Sequence, residues 1–378
     1  MATTRRKGQR RVYRVKEHQF YLANPTVWRT LRSANDIDRI YRKRAHFVNW
    51  FTWLTTPFQW IQRRMVEKQL SHVDLNEQPP TFILGHWRSG TTHLHYALAH
   101  DPQFGVLTNY QAFLFTVAFL SKTWLKFVLS PLMPETRPQD NVKMKPDLPA
   151  EEEQPFSNTS VHSGIHSWFF PRNKTYFHKY NLFRGISDAE KTAWQRDYVK
   201  CLKYIHLFQG QKPLVLKNPH NTGRVRELLE LFPNARFIFI HRDPFDVFLS
   251  TRHLYRTAVN TQVFQFMSLQ DMEDLVIEYY REPMKKYLDE RHLIPPGHLF
   301  EIGFDQLEQE GISAIRRIYD ELSIPGWDDA EPHIQAYFDD VRGYKKNRFR
   351  SLPDETVRRI REEWGFAFDE WGYSRDLN

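Results

Sequence analysis
Hydrophobic positions along the chain fall into two kinds of pattern. Four short apolar runs, Thr81–Leu84, Leu214–Leu216, Phe237–Ile240 and Leu299–Ile302, read as strands, and the first three are continuous rather than alternating. Runs of that length mark strands buried on both faces, as in a parallel sheet covered by helices. Between them the spacing turns helical. It predicts helices over His93–His100, Thr222–Phe232, residues 260–290, and from the fourth run to Leu322. Gln111–Leu129 reads as one strongly apolar helix interrupted by Lys122 and Lys126. Residues 13–75 read as a helical lead-in carrying Phe47, Trp50, Phe51, Trp53, Phe58 and Trp60. Residues 130–180 are Pro-rich and mixed in charge, and predict an irregular wall beside a site. Ser351-Leu-Pro-Asp354 has the form of a capping box that opens a last helix. Alternating strands and helices imply an α/β chain with a central, mostly parallel sheet. No repeat or Gly/Ser linker divides it, so residues 13–378 read as a single domain with its core over 80–350, after a basic arm at 1–12 expected to be flexible.

Candidate chemistry gathers where these strands end. The string GHWRSGTT, Gly85–Thr92, follows the first run and leads into a helix. A buried strand, a tight glycine turn and a helix start form an anion site, because free backbone N–H groups and the helix dipole both face the ligand. The spacing is that of a P-loop, yet Thr91 stands where its lysine belongs, and Arg88 supplies the positive charge. That exchange favours a phosphate cradle over magnesium-dependent hydrolysis of a nucleoside triphosphate. Farther along, Lys217 and Arg242 each stand at the C-terminal edge of a strand, where ligands of open α/β sheets bind. Asp243-Pro244 then opens a helix as N-cap and first-turn residue, with Ser250 two turns on.

These two segments resemble those of sulfotransferases that use 3′-phosphoadenosine 5′-phosphosulfate (PAPS), of the bacterial type with an R-S-G-T-T loop. The resemblance continues through Arg137–Val142 and Pro149–Glu153, similar to an R-P-x-D-N…P-x-E-x-E pattern. It implies a P-loop-like three-layer α/β/α fold. It also implies that Arg88, Ser89, Gly90, Thr91 and Thr92 bind the 5′-phosphosulfate, and that Arg242 and Ser250 bind the 3′-phosphate. Lys217 matches the lysine of the family's L-K-S-P segment, beside the transferring group, with Asn218 replacing the serine. Lys345, Lys346 and Arg348 in GYKKNRF match a basic C-terminal loop that closes over the donor in related folds. Such transfer proceeds by in-line attack and rests on positioning and charge stabilisation, a task for Lys217 and Arg88. No metal-binding spacing is present, and none is expected to be needed.

The base that accepts the proton is where the sequence departs from its relatives. Many carry a Glu about twenty residues after the loop arginine, but Gln103–Pro134 holds no Asp or Glu. Two candidates remain. One is the cluster Glu151, Glu152 and Glu153, where Glu153 is favoured; the other is His162 or His166, with His162 favoured.

Composition narrows the partners. The net charge of +8 suits a polyanionic donor and an anionic membrane nearby. No nucleic-acid-binding motif is found. The single Cys excludes an intrachain disulfide framework, and the basic N-terminus has no apolar signal core, so a cytoplasmic protein is expected, with peripheral membrane contact. The apolar stretches 111–129 and 47–60 point to a hydrophobic alcohol, a sterol or lipid, as acceptor. A carbohydrate or a protein tyrosine stays open as an alternative acceptor. A P-loop kinase and a non-catalytic nucleotide-binding module are the competing classes; the oligomeric state is left open.

Overall fold
A computed structural model describes residues 18–121, 145–343 and 352–377. The basic arm, Lys122, Lys126, Arg137–Val142, Lys345, Lys346, Arg348 and Ser351 therefore lie outside the described residues. The four apolar runs form strands β1 (Thr81–Leu84), β2 (Val215–Lys217), β3 (Arg236–His241) and β4 (Leu299–Gly303). All pair in parallel, in the order β2-β1-β3-β4. Phe82 pairs with Leu216 on one side and Phe237 on the other, which sets the register of β2, β1 and β3.

Side chains alternate between two cores, one on each face of the sheet. Phe82, Leu84, Leu216, Phe237 and Phe239 enter the larger core, while Ile83, Val215, Ile238 and Ile240 enter the smaller. This is why the first three runs are continuous: both sets are buried, so neither can be polar, whereas the edge strand β4 alternates and exposes Glu301. The helices are, in order, α1 (Pro25–Ala34), α2 (Arg42–Leu70), α3 (Thr91–Ala99), α4 (Asn109–Leu114), α5 (Ala118–Ser121), α6 (Glu153–Thr159), α7 (His166–Phe169), α8 (Lys174–Leu182), α9 (Asp188–Phe208), α10 (Val225–Leu231), α11 (Pro244–Thr257), α12 (Leu269–Glu290), α13 (Phe304–Glu310), α14 (Ile312–Glu321), α15 (Trp327–Val341), α16 (Asp354–Glu363) and α17 (Gly365–Trp371). Residues of α1, α2, α9 and α12 close the larger core; α3 and α13–α15 close the smaller. The three-layer arrangement and the helical lead-in are those expected.

Several boundaries differ, each for a visible reason. The expected helix 111–129 is two short helices in its described part. Thr108 and Gln111 form a capping box that starts α4 early. Buried Gln62 then donates to the Phe115 carbonyl (2.8 Å) and accepts from the Phe119 amide (2.7 Å), which holds the chain open between α4 and α5. The stretch read as irregular holds α6, α7 and α8, helices too short to show a period. The expected helix through Leu322 is split at Gly311, whose φ of 56° is left-handed. Near the C-terminus, α16 starts at Asp354 behind Pro353 without a side-chain cap, and a further short helix, α17, follows it.

The strand order places the ligand crevice. The chain leaves β1 toward β2 on one side, then crosses to β3 and β4 on the other. Winding therefore reverses between β1 and β3, and a crevice opens outside their carboxyl ends.

Candidate active site
The Gly85–Thr92 loop leaves β1 at that crevice. Gly85 has φ 133°, and a Cβ there would stand 2.4 Å from the Ile240 carbonyl oxygen of β3. Gly90, at φ 96°, is the N-cap of α3, and a Cβ would stand 2.2 Å from the Phe304 ring. Only glycine fits either place. No side chain caps α3, so its first amides face the crevice. Arg88 sits at the turn with φ 72°, a conformation that costs a non-glycine residue about 1 kcal/mol.

Two residues from the second segment brace that arginine. Arg88 Nε donates to Ser250 Oγ at 2.8 Å, and Arg242 Nη1 donates to the Arg88 carbonyl at 3.4 Å. Arg242 follows β3, and Asp243 caps α11 by accepting from the Phe245 and Asp246 amides, which sets Ser250 two turns along. The Arg242 guanidinium lies 4.6 Å over the Phe304 ring and donates to Asp246 at 2.6 Å. The two candidate segments, read as separate from the sequence, are thus in direct contact across the crevice. Ser89 Oγ, Trp87 Nε1 and Arg242 Nε are buried there without a hydrogen-bond partner among the described residues. Buried donors without partners are costly unless a ligand takes them. The donor set fits a doubly phosphorylated nucleotide. Thr91 is buried and Thr92 half-buried at the start of α3.

Lys217 ends β2 beside this loop, with Ile83 of β1 as its register partner. Its buried Nζ pairs with Glu151 Oε1, while the Glu151 side chain keeps 19% exposure. The three consecutive acids point three ways. Glu152 is buried against Tyr198 Oη (3.0 Å) and Asn221 Nδ2 (2.8 Å). Glu153 is buried in a bidentate pair with Arg224 (2.7 and 3.1 Å). It also accepts from Ser163 Oγ (2.6 Å), the Gly164 amide (3.2 Å) and Asn218 Nδ2 (2.7 Å). Burial alone would raise its carboxyl, but the charge of Arg224 and these donors hold it well below the usual range. A carboxylate with five donors and no exposure does not meet the expectation of a free base.

His162 is engaged with α9 and its own loop. Its Nδ1 lies 3.2 Å from Asp197 Oδ2 on α9 and 3.2 Å from Ser160 Oγ. His166, the other imidazole considered, is enclosed with Nε2 on the Ser157 carbonyl at 3.0 Å. Sequence reasoning passed over Arg224 and His220. His220 Nδ1 donates to Asn181 Oδ1 (2.8 Å), which leaves Nε2 an acceptor, buried and without a partner among the described residues. Its ring packs edge-on against Trp87 of the loop at 4.8 Å. His220 falls in the short P-H-N string, which offers no periodic signal, and Arg224 sits in the expected Thr222–Phe232 helix with no local sign of its buried partner. Asn218, in the family's serine position, bridges the parts: Oδ1 caps the turn at the His220 amide (3.0 Å) while Nδ2 holds Glu153.

Glu152 yields a pH prediction. Burial, with repulsion from Glu153 and Glu151, outweighs its hydrogen bonds and raises its pKa from 4.5 to about 7. Between those values only the folded state keeps the proton, so this group's contribution is full below 4.5 and is lost as pH rises through 7. The change amounts to roughly 3 kcal/mol. Glu152→Gln should therefore raise the unfolding midpoint more at pH 8 than at pH 5, since Gln keeps the acceptor oxygen without the charge. Equal shifts at both pH values, read by calorimetry, would contradict a buried proton.

Comparison with known proteins gives a family for the chain. A family model described as "Sulfotransferase family" matches residues 79–329. The omega-hydroxy-beta-dihydromenaquinone-9 sulfotransferase Stf3 of Mycobacterium bovis is 28% identical over 355 residues, covering 93% of this chain and 90% of that protein. The protein of the same name from Mycobacterium tuberculosis matches equally. Among solved structures, sulfotransferase STF9 from Mycobacterium avium aligns with a TM-score of 0.67 at 15% identity, covering 92% of this chain and 96% of that one. Sulfotransferase STF1 from Mycobacterium tuberculosis aligns at 0.63 and 15% identity, with 90% of each chain covered. At that identity the structural likeness establishes the fold.

Proposed function
The chain belongs to the sulfotransferase family, and from that premise we propose that it transfers a sulfuryl group from PAPS to the hydroxyl of a hydrophobic small molecule, a lipid alcohol in preference to a sterol. Adenosine 3′,5′-bisphosphate is the second product. The observation that carries this reading is the meeting of two anion-binding segments, Arg88–Thr92 and Arg242–Ser250, at the β1/β3 crevice beside Lys217.

The donor, when bound, supplies an activated sulfate and a bisphosphate leaving group. Ser89, Gly90, Thr91, Thr92 and the first amides of α3 would hold its 5′ end, and Arg242 and Ser250 its 3′-phosphate. Arg88, already on Ser250, would join the two. Lys217 neutralises charge that builds on the oxygens in transfer. We assign the base to Glu151 in place of Glu153 and His162. Glu151 alone of the three acids reaches Lys217 and keeps solvent access, so it can receive the proton the acceptor hydroxyl loses. A lipid acceptor is supported by the apolar α4–α5 segment that starts beside Glu151, and by the relative named for a hydroxylated menaquinone. Lys345, Lys346 and Arg348 keep their proposed role as donor contacts.

No helix among the described residues is long and apolar enough to cross a membrane. A cytoplasmic location remains our proposal, in keeping with one buried free Cys.

Adenosine 3′,5′-bisphosphate, added without magnesium, should raise the melting temperature, and Arg242→Ala should weaken that binding by about tenfold or more. Stabilisation by ATP only when magnesium is present would favour a kinase instead.

A further inference from the structure
We propose that the outer stripe of α2 seats this enzyme on the surface of an anionic lipid bilayer. One side of α2 packs on the protein through Val48, Thr52, Gln62, Val66 and Leu70. Phe47, Trp50, Leu54, Phe58, Ile61 and Met65 are instead 41–58% exposed. Their spacings of three and four residues keep them on one stripe of the helix. It runs roughly 27 Å, at 1.5 Å per residue. Trp53 and Trp60 flank it at 61% and 59% exposure. Exposed apolar surface on this scale marks an interaction site.

Charge selects the occupant. From Ala45 to Gln62 the sequence has no Asp, Glu, Lys or Arg. Arg42 and Lys43 precede that stretch, and Arg63, Arg64 and Lys68 follow it, against Glu67 as the acid of the helix. The Arg64 guanidinium lies 5.3 Å over the Trp60 ring. Indole rings at headgroup depth, with cations at both ends of an uncharged apolar stripe, suit a helix lying in the plane of a negatively charged interface. The net charge of +8 adds long-range attraction to the same surface.

The helix that carries the stripe is also tied to the surroundings of the site. Gln62, on the inner side of α2, grips the chain between Phe115 and Phe119. The segment leading into that stretch pairs with the Glu151 neighbourhood, where the Ala150 amide donates to the Leu107 carbonyl at 2.7 Å. A lipid alcohol drawn from the bilayer would meet Glu151 and Lys217 along α4. This last step rests on the proposed function, whereas bilayer binding itself does not.

The test is co-sedimentation of the full chain with vesicles of phosphatidylcholine and phosphatidylglycerol, beside vesicles of phosphatidylcholine alone. Wild type should sediment with the mixed vesicles, less at high salt, and weakly with the neutral ones. The double variant Trp50→Ser/Phe58→Ser should lose partitioning by roughly tenfold or more, with its melting temperature and its response to adenosine 3′,5′-bisphosphate unchanged. No sedimentation of wild type, or equal sedimentation of the double variant, would overturn the proposal. So would light scattering that finds a dimer which the same substitutions dissociate, since a second copy would then cover the stripe. Vesicle binding without any nucleotide response would leave the membrane proposal standing and remove the functional one.

Discussion

Replacing Lys217 with alanine should lower sulfuryl transfer by roughly a thousandfold while the affinity for adenosine 3′,5′-bisphosphate stays within a few fold. Lys217 is a buried cation at the end of β2, held on Glu151 and beside the loop that leaves β1. In that low-dielectric setting a fixed charge acts strongly on oxygens whose charge grows in the transition state. The bisphosphate product lacks the transferring group, so its binding should hardly register the loss. Fold stability should change little, because Glu151 keeps enough exposure to hydrate once its partner is gone. Arginine should restore little activity, since its planar fork does not replace a compact ammonium in a closed space. Glu151→Gln should also slow transfer, and the double variant should be no slower than the worse single one, as for groups that act as a unit. Steady-state kinetics with calorimetric product binding would decide. Parallel losses of rate and product affinity would move Lys217 into the bisphosphate site.

Breaking the Glu153–Arg224 pair should instead cost stability. Both side chains are fully buried. Arg224→Met would leave a carboxylate without its charge partner, at a cost of about 3–5 kcal/mol. Glu153→Gln should cost less but remain plainly destabilising, because it strands the guanidinium. Pairing Arg224→Met with Glu153→Leu should recover only part of the loss. The Tyr180 carbonyl, which accepts from Arg224 Nε at 2.9 Å, and the Gly164 amide and Asn218 Nδ2 would still lack partners. Urea unfolding measures this directly. If Glu153→Gln kept wild-type stability but lost turnover, Glu153 would be the base and the assignment to Glu151 would fall. The sign with pH is also set. Because the folded carboxyl titrates below its unfolded value, the pair contributes fully above the ordinary carboxylate range and is lost on acidification.

The cluster Glu151–Glu153 shows where reading the chain stops working. Its three carboxylates are chemically alike and adjacent, so nothing local tells them apart. What separates them is the partner each meets: Lys217, Tyr198 with Asn221, and Arg224, all brought from elsewhere in the chain by the fold. The α4–α5 break has a similar origin, since the residue that opens it, Gln62, belongs to α2. By contrast, the helix start at Asp243-Pro244 was legible because its cap is made within three residues.

From the sequence by itself followed the parallel sheet, the loop after β1, the Arg242–Ser250 helix start and the family likeness. Each depends on period, turn chemistry or short spacing, which neighbours along the chain settle among themselves. Only the tertiary structure decided that Arg88 rests on Ser250, that Glu151 rather than Glu153 faces Lys217, and that the aromatics of α2 stand outside the core. Those outcomes turn on which distant groups share a buried site and which are left facing water, and burial is a property of the folded whole.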